Sequence, residues 1–211
     1  QFCGGENEDD CKEIINDLNA RHVYSILDYS VEGLDNEVSF DETVSRTINL
    51  IKLNTNNNFP FIVFKPTGIG RFYLYEKISS NTNLSDKENI EWSKVKFRYD
   101  AICNAALANN VSVLIDAEET WIQNTIDSLV LDMMRKYNQT KAIVFNTYQL
   151  YRNDKLESLK ADAKTASIER FFLGAKLVRG AYMEKERKRA VEFNYPSPIH
   201  KDKESTDQDY D

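Results

Sequence analysis

Residues 112–136 read SVLIDAEETWIQNTIDSLVLDMMRK. A short apolar run ends on Asp116, two more carboxylates follow at Glu118 and Glu119, and an amphipathic segment then runs to about Lys136. The first part has the length and branching of a buried strand (Ser112–Asp116), and the second has the period of a helix. Acidic residues between the two suit a helix N-terminus, where the backbone dipole favours negative charge. That dipole accounts well for Glu118 and Glu119. It accounts less well for Asp116, which is still attached to the strand.

The same unit recurs on both sides. Upstream, an amphipathic segment over Glu8–Arg21 sets Ile14, Ile15 and Leu18 on one face and leads into a strand VYSILD at Val23–Asp28. A helix over Asp41–Leu53 with Val44, Ile48 and Ile51 leads past Pro60 to a strand FIVFK at Phe61–Lys65. The connection Pro66–Asn83 reads as one elaborated loop, with its Pro and Gly residues at the start. Ser85 followed by Glu88 is a capping-box pattern that opens a helix reaching Asn109. Downstream lie a strand AIVFN at Ala142–Asn146 with its helix, a strand GAKLV at Gly174–Val178, and a charged helix from about Met183.

Five apolar strands alternating with helices predict a parallel sheet covered by helices. The strands finish on Asp28, Lys65, Asp116, Asn146 and the Lys176/Arg179 pair. In a (β/α) barrel the C-terminal strand ends ring the active site, so a succession of polar ends favours a shared site. Strand pattern by itself does not separate such a barrel from an open doubly wound sheet.

Composition narrows the function. The chain has 211 residues, 41% apolar and 29% charged, with a formal net charge of −7. That is enough for a real core, and the acidic balance argues against a nucleic-acid partner. No apolar stretch approaches the ~18–20 residues of a membrane span. The N-terminal residues QFCGGENEDDCKE carry neither a secretory apolar core nor the Arg-rich face of a transit peptide. Three scattered cysteines (Cys3, Cys11, Cys103) suit a reducing compartment rather than a disulfide framework, and no metal site is expected. Two histidines, His22 and His200, leave little for Ser-His-Asp chemistry.

Four local features carry chemistry, each with a plainer alternative. Gly68-Ile69-Gly70-Arg71 lacks the third Gly of a dinucleotide fingerprint, and an ordinary turn is the better reading. The Asp116–Glu119 run admits a divalent-cation site beside the dipole reading. Lys65 and Lys176 end or lie within apolar strands, where a cation is costly unless paired. They are structural ion pairs or snorkelling lysines on one reading, and an anion clamp or Schiff-base nucleophile on the other. MEKERKR (Met183–Arg189) alternates charge at helical spacing and reads as a solvated face. Tyr148, Tyr151 and Tyr182 suit packing or stacking on a planar cofactor.

KLVRGAYMEKERKR (Lys176–Arg189) resembles the most characteristic segment of the proline dehydrogenase family. SILDYSVEG (Ser25–Gly33), FKPTGIGRF (Phe64–Phe72), LIDAEETW (Leu114–Trp121), VFNTYQLYR (Val144–Arg152) and YPSPIHKDKESTD (Tyr195–Asp207) resemble that family's other segments, in the family's order. The likeness is nearer to the single-function branch than to the long bifunctional one.

The resemblance implies a (β/α)8 TIM-type barrel holding FAD at its C-terminal face, with about five βα units in this chain. Residues 1–211 are then expected to be a catalytic domain incomplete at its C-terminus, lacking three βα units and a final helix with paired arginines. The implied reaction is oxidation of L-proline to Δ1-pyrroline-5-carboxylate, in proline catabolism to glutamate, with electrons passed to a membrane quinone. Peripheral membrane contact is implied without a transmembrane span, in the cytoplasm or at the inner membrane of a bacterium, or in a mitochondrion.

By resemblance, Lys65 binds the proline carboxylate, and Asp116 and Lys176 are the active-site acid and cation. Ala117 and Asn146 contact the flavin, and Arg179, Gly180 and Ala181 form the flavin-binding turn. Asp28 orients neighbouring cations. Bifunctional relatives have Arg-Leu-Val-Lys where this chain has Lys176-Leu177-Val178-Arg179, so the two cations are exchanged, and Lys lacks Arg's planar two-pronged contact. Two other classes remain beside the oxidoreductase: a Schiff-base lyase on a similar barrel, and a non-catalytic binding module.

Overall fold

A computed structural model describes residues 8–28, 34–54 and 60–211. Five strands pair side by side, all parallel, in the order β1-β2-β3-β4-β5: Leu27–Asp28, Phe61–Phe64, Ser112–Ile115, Val144–Gln149 and Ala175–Val178. This order separates the two folds left open by the strand pattern. A doubly wound sheet reverses direction at a switch point, whereas here each new strand adds to the same edge, as in a (β/α) barrel.

The helices are α1 (Glu8–Asn19), α2 (Glu37–Leu53), α3 (Phe72–Ser79), α4 (Asp86–Asn109), α5 (Thr120–Tyr137), α6 (Lys155–Glu169), α7 (Met183–Glu192) and α8 (Lys203–Tyr210). Ile62, Phe64, Val113, Ile115 and Val144 enter one apolar cluster with Tyr99 and Ile102 of α4 and Ile126, Val130 and Met134 of α5. Successive strand residues face opposite sides. Val63, Leu114 and Phe145, which share one register row, therefore point away from the helix layer.

Local chemistry fixes the element ends. Asn36 accepts from Ser39 N at 2.9 Å and starts α2. Ser85 and Glu88 form the expected capping box at α4. Asn138, fully buried at the end of α5, accepts from Ile143 N and Val144 N and donates to Val144 O and Phe172 O. One side chain thus ties α5 to the entrances of β4 and β5. Gly174 allows these entrances to approach, since a Cβ there would stand 2.2 Å from Val144 O.

Four sequence expectations need correction. The first strand is Leu27–Asp28, not Val23–Asp28, because residues 21–23 close α1 instead: Val23 N donates to Leu18 O, with His22 at φ 59°. The connection Pro66–Asn83 contains a 3-10 turn (Pro66–Gly68) and all of α3, whose Leu74 and Tyr75 are buried. The fourth strand is Val144–Gln149, not Ala142–Asn146. The MEKERKR segment is not a wholly solvated face. Glu186 is buried and accepts from Thr120 N and Thr120 Oγ1 at 2.7 Å each, which caps α5 from another helix. Lys185 pairs with Glu119, and Arg189 lies 4.2 Å over the Trp121 ring.

Candidate active site

The sheet register explains which polar side chains meet. Phe64, Ile115, Asn146 and Ala175 form one row across β2 to β5. One step further are Lys65, Asp116, Thr147 and Lys176, with Thr147 and Lys176 paired in the sheet. The shift by one residue reverses the face. Phe64 and Ile115 enter the helix-side cluster, so the next row faces the opposite side, at the C-terminal strand ends.

A cleft of about 130 Å³ lies over that row. Lys65, Asp116, Thr147 and Lys176 line it, together with Ala117, Gln149 and the turn Gly180-Ala181-Tyr182 after β5. Lys176 Nζ donates to Asp116 Oδ1 at 2.6 Å, with both side chains partly buried. Thr147 Oγ1 donates to Ile115 O at 2.8 Å. Gln149 Nε2 donates to Glu118 O at 2.7 Å and to Tyr151 Oη at 3.0 Å, and its Oε1 accepts from Arg152 at 3.2 Å. The β4 end is thereby braced against the loop after β3.

Six residues expected in the site from the sequence, namely Lys65, Asp116, Ala117, Lys176, Gly180 and Ala181, come together in this cleft. Two do not. Asn146 belongs to the row behind, and its amide donates to Asp127 Oδ1 of α5 at 2.9 Å in a buried network with Gln123 and Lys155. Reading the strand to end at Asn146 placed a strand end where the chain has three more strand residues. Arg179 leans outward, over the Tyr210 ring at 4.5 Å and towards Asp207 at 3.3 Å, beside a second cleft shared with α7 and α8. Asp28 sits in β1, but its side chain and the residues 29–33 that follow lie outside the described residues.

Thr147 and Gln149 are the site residues that sequence reading missed. The available signal was alternation along VFNTYQ: residues 145, 147 and 149 share one face, while 146 and 148 share the other. Tyr148 obeys it, donating to Asp162 of α6 at 2.8 Å. Tyr148 and Tyr151 are buried packing residues, and of the three tyrosines only Tyr182 lines the cleft.

Glu118 is nearly buried, just behind the cleft. Its Oε1 accepts from Thr67 N at 2.9 Å and its Oε2 from Thr67 Oγ1 at 2.6 Å. Burial pushes its carboxyl up to about 7 and Glu119 adds to this, while the Thr67 bonds and the Lys65 charge oppose it. Among the described residues no group of three or more His, Cys, Asp or Glu is placed to hold a metal ion. No described helix is long and apolar enough to cross a membrane.

Comparison with known proteins agrees with this architecture. The proline dehydrogenase family description matches residues 11–211. A carbapenem antibiotics biosynthesis protein, CarD, of Pectobacterium carotovorum is 34% identical over 188 residues, covering 89% of this chain and 50% of that protein. The mitochondrial proline dehydrogenase 1 of Homo sapiens is 37% identical over 129 residues, covering 61% of this chain and 22% of that one. The chain thus spans half or less of the length of these relatives. Among solved structures, proline utilization A from Bdellovibrio bacteriovorus superposes on 99% of this chain and 23% of its own, with TM-score 0.80 and 14% identity. That likeness is one of fold. On the family match along nearly its whole length, the chain belongs to the proline dehydrogenase family.

Proposed function

We propose that this chain carries the strand-end face on which an FAD-dependent enzyme oxidises L-proline to Δ1-pyrroline-5-carboxylate, in proline catabolism to glutamate. The observation that carries the proposal is the row Lys65, Asp116, Thr147 and Lys176 at one mouth, on four adjacent parallel strands. Family membership supplies the reaction class.

The residue types suit that chemistry. Lys65 offers an ammonium to the substrate carboxylate, fixing the ring in one register relative to its acceptor. Asp116 holds Lys176 in place, so a second cation stands over the mouth in a set direction. Fixed cations of this kind favour the negative charge that a hydride acceptor gains.

The donor set also fits a flavin. Two ammonium groups and the Gln149 amide border the cleft, and the Gly180-Ala181 turn beside it is small and open. A Cβ at Gly180 would meet nothing nearer than Met183 Cε at 3.4 Å. Bound there, FAD would supply the hydride acceptance that no side chain offers. Its electrons would then pass to a membrane quinone, reached peripherally.

A Schiff-base lyase needs a neutral lysine amine with a free path to a carbonyl. Lys176 Nζ is instead engaged by Asp116 Oδ1 at 2.6 Å, which denies it that free path and favours the oxidoreductase. Two treatments of the purified protein separate the classes. The proposal expects a yellow FAD complex whose absorbance falls when L-proline is added without oxygen. Covalent trapping of a carbonyl substrate by borohydride, with no flavin response, would support the lyase.

A further inference from the structure

Glu118 does not line the cleft, yet it ties together the turn after Lys65 and the end of β4, which border it, and α5 behind them. Its carboxylate takes both hydrogen bonds from Thr67, in the turn that begins immediately after Lys65. Its backbone N–H donates to Gln123 Oε1 of α5 at 2.8 Å, and its carbonyl accepts from Gln149 at the end of β4. Tyr75 Oη completes the turn's attachment by donating to Pro66 O at 3.1 Å.

If the residue were only a clamp, a neutral amide would serve. Gln could accept from Thr67 N through its oxygen and donate to Thr67 Oγ1 through its nitrogen. A carboxylate with 3% exposure is the costlier choice. What the charge adds is an attraction to the Lys65 ammonium, on the residue that immediately precedes the same turn.

We propose that Glu118 is a positioning residue for Lys65, which holds the ammonium by tether and charge until a substrate carboxylate takes it over, with Glu118 then accepting a proton. The proposal rests on the proline-oxidising reading of the cleft. When a ligand carboxylate claims the Lys65 charge, one of the influences that favour the ionised Glu118, secondary to the two Thr67 bonds, is shared, so the protonated form gains. Ligand binding and proton uptake are then linked, and by reciprocity the ligand binds more tightly as pH falls through about 7.

The charged and titratable groups around Glu118 are Lys65 at the end of β2, Asp116 and Glu119 on its own loop, and Tyr75 of α3. Tyr99 of α4 also feels the Glu118 charge, while Arg98 of α4 acts on Tyr75, Lys185 of α7 pairs with Glu119, Glu186 of α7 bonds to Thr120, and Lys176 of β5 pairs with Asp116. Burial pushes the two tyrosine hydroxyls upward, away from neutral pH.

The test uses the FAD-loaded protein and a redox-inert probe, a saturated five-membered ring carboxylate with oxygen in place of the ring nitrogen. Calorimetry in two buffers of different ionisation enthalpy reads proton exchange directly. The wild type should take up a fraction of a proton per probe near pH 7 and bind roughly three- to tenfold more tightly at pH 6 than at pH 8. Glu118→Gln should bind the probe with a flat profile and no proton uptake. Thr67→Val, which removes one bond to the ionised form, should move the uptake midpoint to higher pH, and it tests the same point should the Gln variant fail to fold. Uptake and profile unchanged in Glu118→Gln, or a midpoint unmoved in Thr67→Val, would overturn the proposal. A wild type whose flavin L-proline does not reduce would instead sink the functional reading itself.

Discussion

Lys176 and Asp116 lie 60 positions apart, on strands that β4 keeps from touching, and their side chains meet at 2.6 Å in front of β4. The bond spans the middle strand because Thr147, between them in the register row, has a short side chain that turns its hydroxyl back to Ile115 O. Lys176 is 32% exposed and Asp116 17%, so water screens the pair less than it screens a surface pair.

Asp116→Asn should leave the fold intact and release the Lys176 ammonium from its fixed direction. A charge-assisted bond is worth about 1.5–3 kcal/mol, so kcat/KM for proline should fall roughly ten- to a hundredfold. Steady-state kinetics beside a melting curve would check this. An unchanged kcat/KM would reduce the pair to a structural bridge.

Lys65→Ala should weaken binding of proline, or of a ring carboxylate, by roughly ten- to a hundredfold. Flavin affinity should change far less, since this ammonium is assigned by the proposal to the substrate carboxylate and not to the flavin. Parallel titrations of ligand and flavin read the two effects separately, and equal losses in both would argue against a carboxylate clamp.

Asn146 and Gln149 should behave oppositely although they share a strand. Asn146→Ala breaks a buried bond to Asp127 and should cost about 1–3 kcal/mol of stability with ligand affinity nearly kept. Gln149→Leu removes polar groups at the mouth and should lower flavin or ligand affinity. Denaturant melts and binding titrations on both variants give the answer. Reversed effects would mean that the register row does not define the site.

Much of this site was legible because strand ends carry chemistry in the sequence itself. Lys65, Asp116 and Lys176 end or interrupt apolar runs, and burial makes such charges conspicuous. Asn146 was misread for a physical reason: a polar residue inside an apolar run resembles an end, but here its amide is satisfied behind the sheet by Asp127. α3 was hidden by the Pro and Gly residues before it, although Leu74 and Tyr75 carry its apolar face into the core. The role of Glu186 could not be read from spacing, because its partner Thr120 is 66 positions away.

Glu118 gives stability a pH dependence. Its folded pKa, about 7, lies above the ordinary value of 4.5, because burial disfavours the ionised form. Its contribution is therefore complete below about pH 4.5 and is lost as pH rises through about 7, a difference on the order of 3 kcal/mol. Glu118→Gln should be more stable than the wild type at pH 8, and that advantage should vanish towards pH 4.5. Urea melts across this range check the sign, and a constant difference at all pH values would contradict the buried carboxyl.

The most direct test of the central claim is a diffraction structure of the FAD-loaded protein with a ring carboxylate bound. The account predicts the carboxylate within hydrogen-bond distance of Lys65 Nζ, with the flavin ring against the Gly180-Ala181 turn and the Lys176–Asp116 pair. A carboxylate held elsewhere, with Lys65 and Lys176 untouched by ligand or flavin, would contradict it.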